Sequence, residues 1–312
     1  MTEERDANPN RRRVLQCMAW AGTGLVWTVV GGVPKSLQLG GEAIAAESGS
    51  FSFVQISDSH IGFNKEANPD PNATLQAAVD RIAKLPKPPA LVVHTGDVTQ
   101  LSKPAEFDTA AEILKGIKQP VRYIPGEHDV IGDDGKQFFE RLAKEATPAR
   151  SYSFDHAGVH FVAMTNVLSF EKSHAGGFGS DQLEWLEKDL KGLSASTPIV
   201  VLTHVPMWPL YPQWGWATED APQALSYLKR FGSVTVLNGH IHQIVQKVEG
   251  NVRFHTARST AYPQPMAGVG PGPGPLKVPA EQLAQMLGVS SVTAVRHHAL
   301  TVADATLAGG AS

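Results

Sequence analysis

Five short segments concentrate the carboxylates and imidazoles of this 312-residue chain: Asp58-Ser59-His60, Gly96-Asp97, Gly126-Glu127-His128-Asp129, Thr203-His204 and Gly239-His240-Ile241-His242. Mixed carboxylate and imidazole donors suit first-row ions such as Mn, Fe or Zn. The single cysteine, Cys17, excludes a disulfide framework and any thiolate-based metal site, so metal chemistry must use nitrogen and oxygen donors. Neither a G-x-x-x-x-G-K-[ST] loop nor a G-x-S-x-G elbow is present, so P-loop NTPase and serine-hydrolase readings lack support.

Each segment follows a stretch with strand character. Phe51 to Ile56 alternates apolar and polar residues, and Ala90 to Val93 is a short apolar run. Val121 to Ile124, Pro198 to Leu202 and Val234 to Leu237 repeat the pattern, and each ends at one of the segments above. Helices are predicted over 73–84, 104–117, 180–191 and 221–230. Paired strands are predicted at 151–155 and 159–164, with strands near 244–248 and 252–256 closing the core. In α/β sheets, ligands collect in the crevice beyond the strand C-termini, so five such loops converge on one site.

The ordered set resembles the calcineurin-like metallophosphoesterases, whose pattern is D-x-H, G-D, G-N-H-[DE], H, G-H-x-H. The likeness spans residues 51–256 and implies an α/β fold, a single-domain four-layer αββα sandwich. It further implies two divalent or mixed-valence ions (Mn, Fe or Zn). Asp58, His60 and His242 would hold the first, His204 and His240 the second, and Asp97 would bridge them. His128 would assist the leaving group, with Asp129 orienting its ring. The implied reaction is hydrolysis of a small-molecule phosphate ester by a metal-bridging hydroxide attacking phosphorus. By size the chain is nearest the cyclic-nucleotide phosphodiesterase-like branch. The alternatives are a broad phosphomonoesterase, a lipid-directed phosphoesterase, or a metal-binding scaffold without catalysis.

Glu127 departs from the pattern, standing where the resemblance places a neutral asparagine ligand of the second ion. Three carboxylates, two divalent ions and one hydroxide leave no net charge, whereas asparagine would leave one positive charge. Unless one ion is trivalent, a neutral site attracts a dianionic monoester less, which would favour phosphodiesters. The alternative is that Glu127 binds monodentately in the asparagine position with little effect. Purple acid phosphatases resemble the same pattern but place a tyrosine three residues after the G-D aspartate; here Gln100 stands there, which argues against a tyrosinate–iron site. Next to His204, the segment 206–216 carries Trp208, Trp214 and Trp216, candidates for stacking or covering part of a substrate.

Asn10-Arg11-Arg12-Arg13-Val14-Leu15-Gln16, followed by an uncharged stretch to Pro34 and by Ala43-Ile44-Ala45, resembles a twin-arginine (Tat) export signal. Residues 1–45 are therefore expected to engage the Tat export machinery and be cleaved, the alternative being an uncleaved N-terminal anchor. Residues 46–312 would remain as a periplasmic or extracellular domain with no stable membrane span. Cleavage removes five basic and four acidic residues, which turns the formal charge of −3 into −4. No nucleic-acid partner is expected from that charge. The Pro/Gly-rich stretch 263–279 reads as a surface loop, and residues beyond it as a C-terminal extension.

Overall fold

The computed structural model describes residues 25–30, 33–38, 50–295 and 299–309. The chain divides into two units, Met1–Ser50 and Phe51–Ser312. In the first, β1 (Leu25–Val30) and β2 (Val33–Gln38) pair antiparallel as a two-stranded ribbon. The Arg11-Arg12-Arg13 motif and the cleavage site expected at Ala43–Ala45 lie outside the described residues. Among those described, no helix is long and apolar enough to cross a membrane.

In the second unit, β3 (Phe51–Ile56), β4 (Val92–His94) and β5 (Val121–Tyr123) run parallel, as βαβ units require. Their crossovers carry α1 (Pro71–Ala83) and α2 (Pro104–Leu114). Helix α1 starts earlier than its apolar spacing predicts, because Asp70 accepts the amide N–H of Ala73 at 3.1 Å and Pro71 sits at the first helical position. Helix α2 stops at Leu114 rather than continuing to 117, and the turn after it contains Gly116. A short helix, α3 (Lys136–Arg141), follows β5.

The second sheet is built from β6 (Ser151–His156), β7 (Val159–Met164), β8 (Ile199–Leu202), β9 (Val234–Asn238), β10 (Gln246–Glu249) and β11 (Val252–Thr256). Their order is β10-β11-β9-β8-β7-β6. Between the strands lie α4 (Phe170–Ser173), α5 (Gly179–Leu190) and α6 (Ala221–Leu228).

The core does not close at residue 256. After α7 (Ala280–Met286), β12 (Gly288–Ala294) inserts antiparallel beside β3, and β13 (Thr301–Thr306) pairs with β12. The first sheet therefore reads β13-β12-β3-β4-β5, and the C-terminal segment is part of it rather than an extension.

Side-chain alternation sets the layers. On β7 and β8, Phe161, Ala163, Val200 and Leu202 face the first sheet, while Val162, Met164, Ile199 and Val201 face Leu183, Leu186 and Leu190 of α5 and Ala224 and Leu228 of α6. Burial on both faces explains the uninterrupted apolar runs. Phe53 of β3 meets Phe161 of β7 edge-to-face, with centroids 5.2 Å apart, and Leu75, Val79 and Ile82 of α1 cover the first sheet from outside. The arrangement is a four-layer αββα sandwich. Truncating a buried leucine such as Leu186 costs about 2–5 kcal/mol.

Buried His160 donates from both ring nitrogens, to Asp155 and to Asp189, each at 2.9 Å. Burial pushes its pKa down, but the two carboxylates outweigh it and raise it above the ordinary value. Asp155 is mostly exposed and contributes little, so Asp189 is the main partner. Its stabilisation is full below the unfolded pKa of about 6.5 and fades as pH rises through the higher folded value. Asp189→Asn is therefore expected to destabilise by on the order of 1–2 kcal/mol at pH 5–6 and by less at pH 9, measured by urea unfolding.

Candidate metal centre

The loops after β3 and β4 continue side by side past the ends of their strands. The amide N–H of Asp58 donates to Gly96 O, that of His60 to Asp97 O and that of Ile61 to Val98 O. Along this edge Asp58, His60 and Asp97 have φ of 54°, 42° and 53°. Across from them, His240 and His242 have 71° and 54°. Non-glycine residues in the left-handed region cost about 1–2 kcal/mol each and cluster at functional sites. Here the residues that project the donors carry the sharp turns themselves. Glycine is needed where chains nearly touch: a Cβ on Gly96 (φ 98°) would strike His204 Nδ1 and Gly126 N, and one on Gly126 would strike the Asp97 carboxylate.

Among the described residues four overlapping three-donor groups result. Asp97 belongs to two of them, with His60 and His128 and with Asp58 and His204, and the remaining two share no residue. Asp58, His60 and His242 form one of that pair, and Glu127, His204 and His240 the other, with the donor atoms of each group within 4.8 Å of one another. Asp97 lies between them, its Oδ2 at 3.5 Å from His60 Nε2 and 3.4 Å from His204 Nε2. Its Oδ1 accepts the His128 amide N–H at 2.9 Å. Ring orientation is set from behind, because His204 Nδ1 donates to Thr95 O and His242 Nδ1 to Tyr262 O, both at 2.6 Å. Their Nε2 lone pairs are thereby turned into the site.

The residues present fit metal ions. Asp58 Oδ2, Glu127 Oε2, His204 Nε2 and both ring nitrogens of His240 are buried without a hydrogen-bond partner. Glu127 reaches His204 Nε2 and His240 Nδ1 at 2.9 Å, without hydrogen-bonding geometry to either. Buried polar atoms are nearly always paired, and lone pairs facing one another are satisfied together by a cation. Burial pushes His60 down to about 3, which keeps its imidazole neutral and able to donate a lone pair. Burial raises the Glu127 carboxyl, but the facing His240 and His204 outweigh it and hold Glu127 well below the usual carboxylate range.

His128 lies at the edge of these groups, its ring 4.9 Å from that of His60. Asp129 does not orient that ring. Its carboxylate accepts the amide N–H groups of Val98, Thr99 and Gly126 at 2.8–3.0 Å, bracing the loop of Asp97 against the loop of Glu127. Burial and the neighbouring Asp97 push Asp129 up to about 7. The carbonyl of Gln100 holds the His128 ring instead, accepting from Nδ1 at 2.7 Å.

A cleft of about 240 Å³ opens onto both groups. Trp214 and Trp216 line it together with Phe170, Tyr262 and Pro273–Pro275 of the Pro/Gly-rich stretch. Trp208 does not: it is buried in the core against Phe254, with centroids 5.0 Å apart. Tyr262, which no motif marks, is buried against the rings of His60 and His242, 4.7 Å from each. Burial and the nearby Asp97, Asp58 and Glu127 carboxylates push its phenol well above the ordinary value.

The chain belongs to the calcineurin-like phosphoesterase family, which its residues 51–244 match. It is a metal-dependent phosphoester hydrolase. It is 23% identical over 219 residues to a 3′,5′-cyclic-nucleotide phosphodiesterase from Nostoc, a match covering 68% of this chain and 79% of the relative. To a glycerophosphodiester phosphodiesterase from Enterobacter lignolyticus it is 27% identical over 206 residues, covering 63% and 71%. A dimetal phosphatase from Danio rerio shares the fold with a TM-score of 0.61 at 16% identity, over 81% of this chain and 98% of that one.

Gly126→Ala is expected to displace Asp97 while leaving the sheets intact. Far-ultraviolet circular dichroism should stay unchanged, while calorimetric affinity for Mn²⁺ or Zn²⁺ falls at least tenfold.

Proposed function

We propose that the chain is a binuclear phosphoesterase that favours phosphodiesters. The observation that supports this reading is that two of the four three-donor groups share no residue, while Asp97 overlaps both through the other two. Asp58, His60 and His242 would hold one ion, Glu127, His204 and His240 the other, and Asp97 would serve both. Bound there, such ions supply Lewis acidity towards phosphoryl oxygens and make water nucleophilic near neutral pH.

The protein's own residues do the rest. His128, its Nδ1 tied to the Gln100 carbonyl, keeps Nε2 for the departing oxygen, to which it gives a proton. Trp214 and Phe170 flank the reacting centre and would contact the ester group, with Trp216 buried behind them. Glu127 adds negative charge where a monoester dianion would sit, which favours the singly charged diester. The phosphodiesterase names of the two relatives support the same preference. The twin arginines at Arg11–Arg13 support export through the Tat route to the periplasm or beyond.

A second reading, a lipid-directed phosphoesterase, draws on exposed Met266, Val269 and Leu276, which flank the cleft-lining Pro273–Pro275. Faster hydrolysis of phospholipid vesicles than of small soluble diesters would favour it.

The direct test compares bis(p-nitrophenyl) phosphate with p-nitrophenyl phosphate before and after chelation. Diester turnover is expected to exceed monoester turnover, to vanish on chelation and to return with Mn²⁺ or Zn²⁺. No turnover of either ester by the reloaded protein would overturn the reading. Glu127→Asn should raise the monoester-to-diester ratio, and an unchanged ratio at unchanged metal content would remove the charge argument. His128→Ala should lower kcat/KM about 10²–10⁴-fold for alkyl leaving groups. The loss should be much smaller for p-nitrophenolate, which departs without a proton.

A further inference from the structure

Tyr262 lies just past β11, in a segment stitched to the donor loops from behind. Ser259 Oγ donates to Asp58 O at 2.7 Å and receives the amide N–H groups of Ala261 and Tyr262 at 2.8 and 3.1 Å. The amide N–H of Thr260 donates to Ser57 O, and Asn68 Nδ2 donates to Ala261 O at 2.7 Å. The tyrosine carbonyl is taken by His242 Nδ1, and its ring is clamped between His60 and Phe63, with centroids 4.7 and 4.4 Å away. Backbone and ring are thus fixed, and the hydroxyl has one place to be.

That place is 3.2 Å from His60 Nε2, the nitrogen that also faces His242 and Asp97. In the proposed reaction this nitrogen gives its lone pair to an ion, after which it cannot accept from the phenol. The residue is only 4% exposed, so the O–H cannot simply turn to bulk water, and a buried donor without an acceptor is costly. The ring also lines the cleft that the ester enters. Resting on that reading, we propose that the Tyr262 hydroxyl is a catalytic hydrogen-bond donor to a non-bridging oxygen of the substrate phosphoryl group, acting beside His60 while His128 serves the leaving oxygen. No covalent bond changes at Tyr262; its O–H exchanges one acceptor for another.

Tyr262→Phe keeps the ring and the carbonyl that holds His242 and removes only the donor. The probe is inorganic phosphate titrated into zinc-loaded protein by calorimetry. The variant is expected to bind phosphate about tenfold more weakly and to lose at least tenfold in kcat/KM, with zinc stoichiometry and affinity unchanged. Wild-type protein should also show a tyrosine ultraviolet difference spectrum on adding phosphate that the variant lacks, a readout that ring packing alone would not produce. Unchanged phosphate affinity in the variant, or no difference spectrum in the wild type, overturns the proposal. Loss of a zinc ion in the variant also overturns it, because the hydroxyl would then be a ligand. A wild type that binds zinc and phosphate but hydrolyses no ester would count against the reaction and leave the phosphate contact standing.

Discussion

The structure depends on holding buried lone pairs against one another at a single edge. Asp97 is the centre of that constraint, with one oxygen on the His128 amide and the other between the imidazoles of His60 and His204. Those imidazoles come from loops of different sheets, so the site exists only where the sheets meet. Gln55 helps fix the meeting, its amide donating to Thr95 Oγ1 at 3.0 Å in one sheet and to Asn238 O at 3.1 Å in the other. The left-handed backbone at Asp58, His60, Asp97, His240 and His242 adds strain of about 1–2 kcal/mol per residue. Cations held there would offset the repulsion of the donors, and the surrounding backbone hydrogen bonds hold the strained turns in place.

This constraint also explains the supporting cast. Asp129 is spent on the amide groups of Val98, Thr99 and Gly126, because two loops carrying Asp97 and Glu127 must be kept in register. Gln100 and Tyr262 lend carbonyls to aim imidazoles, at 2.7 and 2.6 Å. The cleft lined by Trp214, Phe170 and Tyr262 opens onto both donor groups.

The donor residues were legible because their chemistry is local: glycine-flanked Asp, Glu and His just beyond apolar strand runs mark loops that converge in any α/β sheet. Helix and strand positions followed from periodicity, with errors at ends set by capping, as at Asp70. What sequence reasoning missed depends on long-range packing. Strand β12 pairs with β3 more than two hundred residues away, and no local pattern names that partner. Trp208 and Trp214 look alike in one aromatic segment, yet one packs into the core and the other lines the cleft. Asp129 reads as the partner of its neighbour His128, but its side chain turns towards backbone amides. Tyr262 stands alone in Ser259-Thr260-Ala261-Tyr262, and only the return of that segment against His60 reveals it.

The central claim is that Asp97 joins two ion sites in one reacting centre. Its most direct test is calorimetric titration of metal-free protein with Zn²⁺, comparing wild type with Asp97→Asn. Two ions per chain in the wild type, with both sites weakened together in the variant, is the predicted result. A single ion per chain, or two ions whose affinities are untouched by Asp97→Asn, would contradict it.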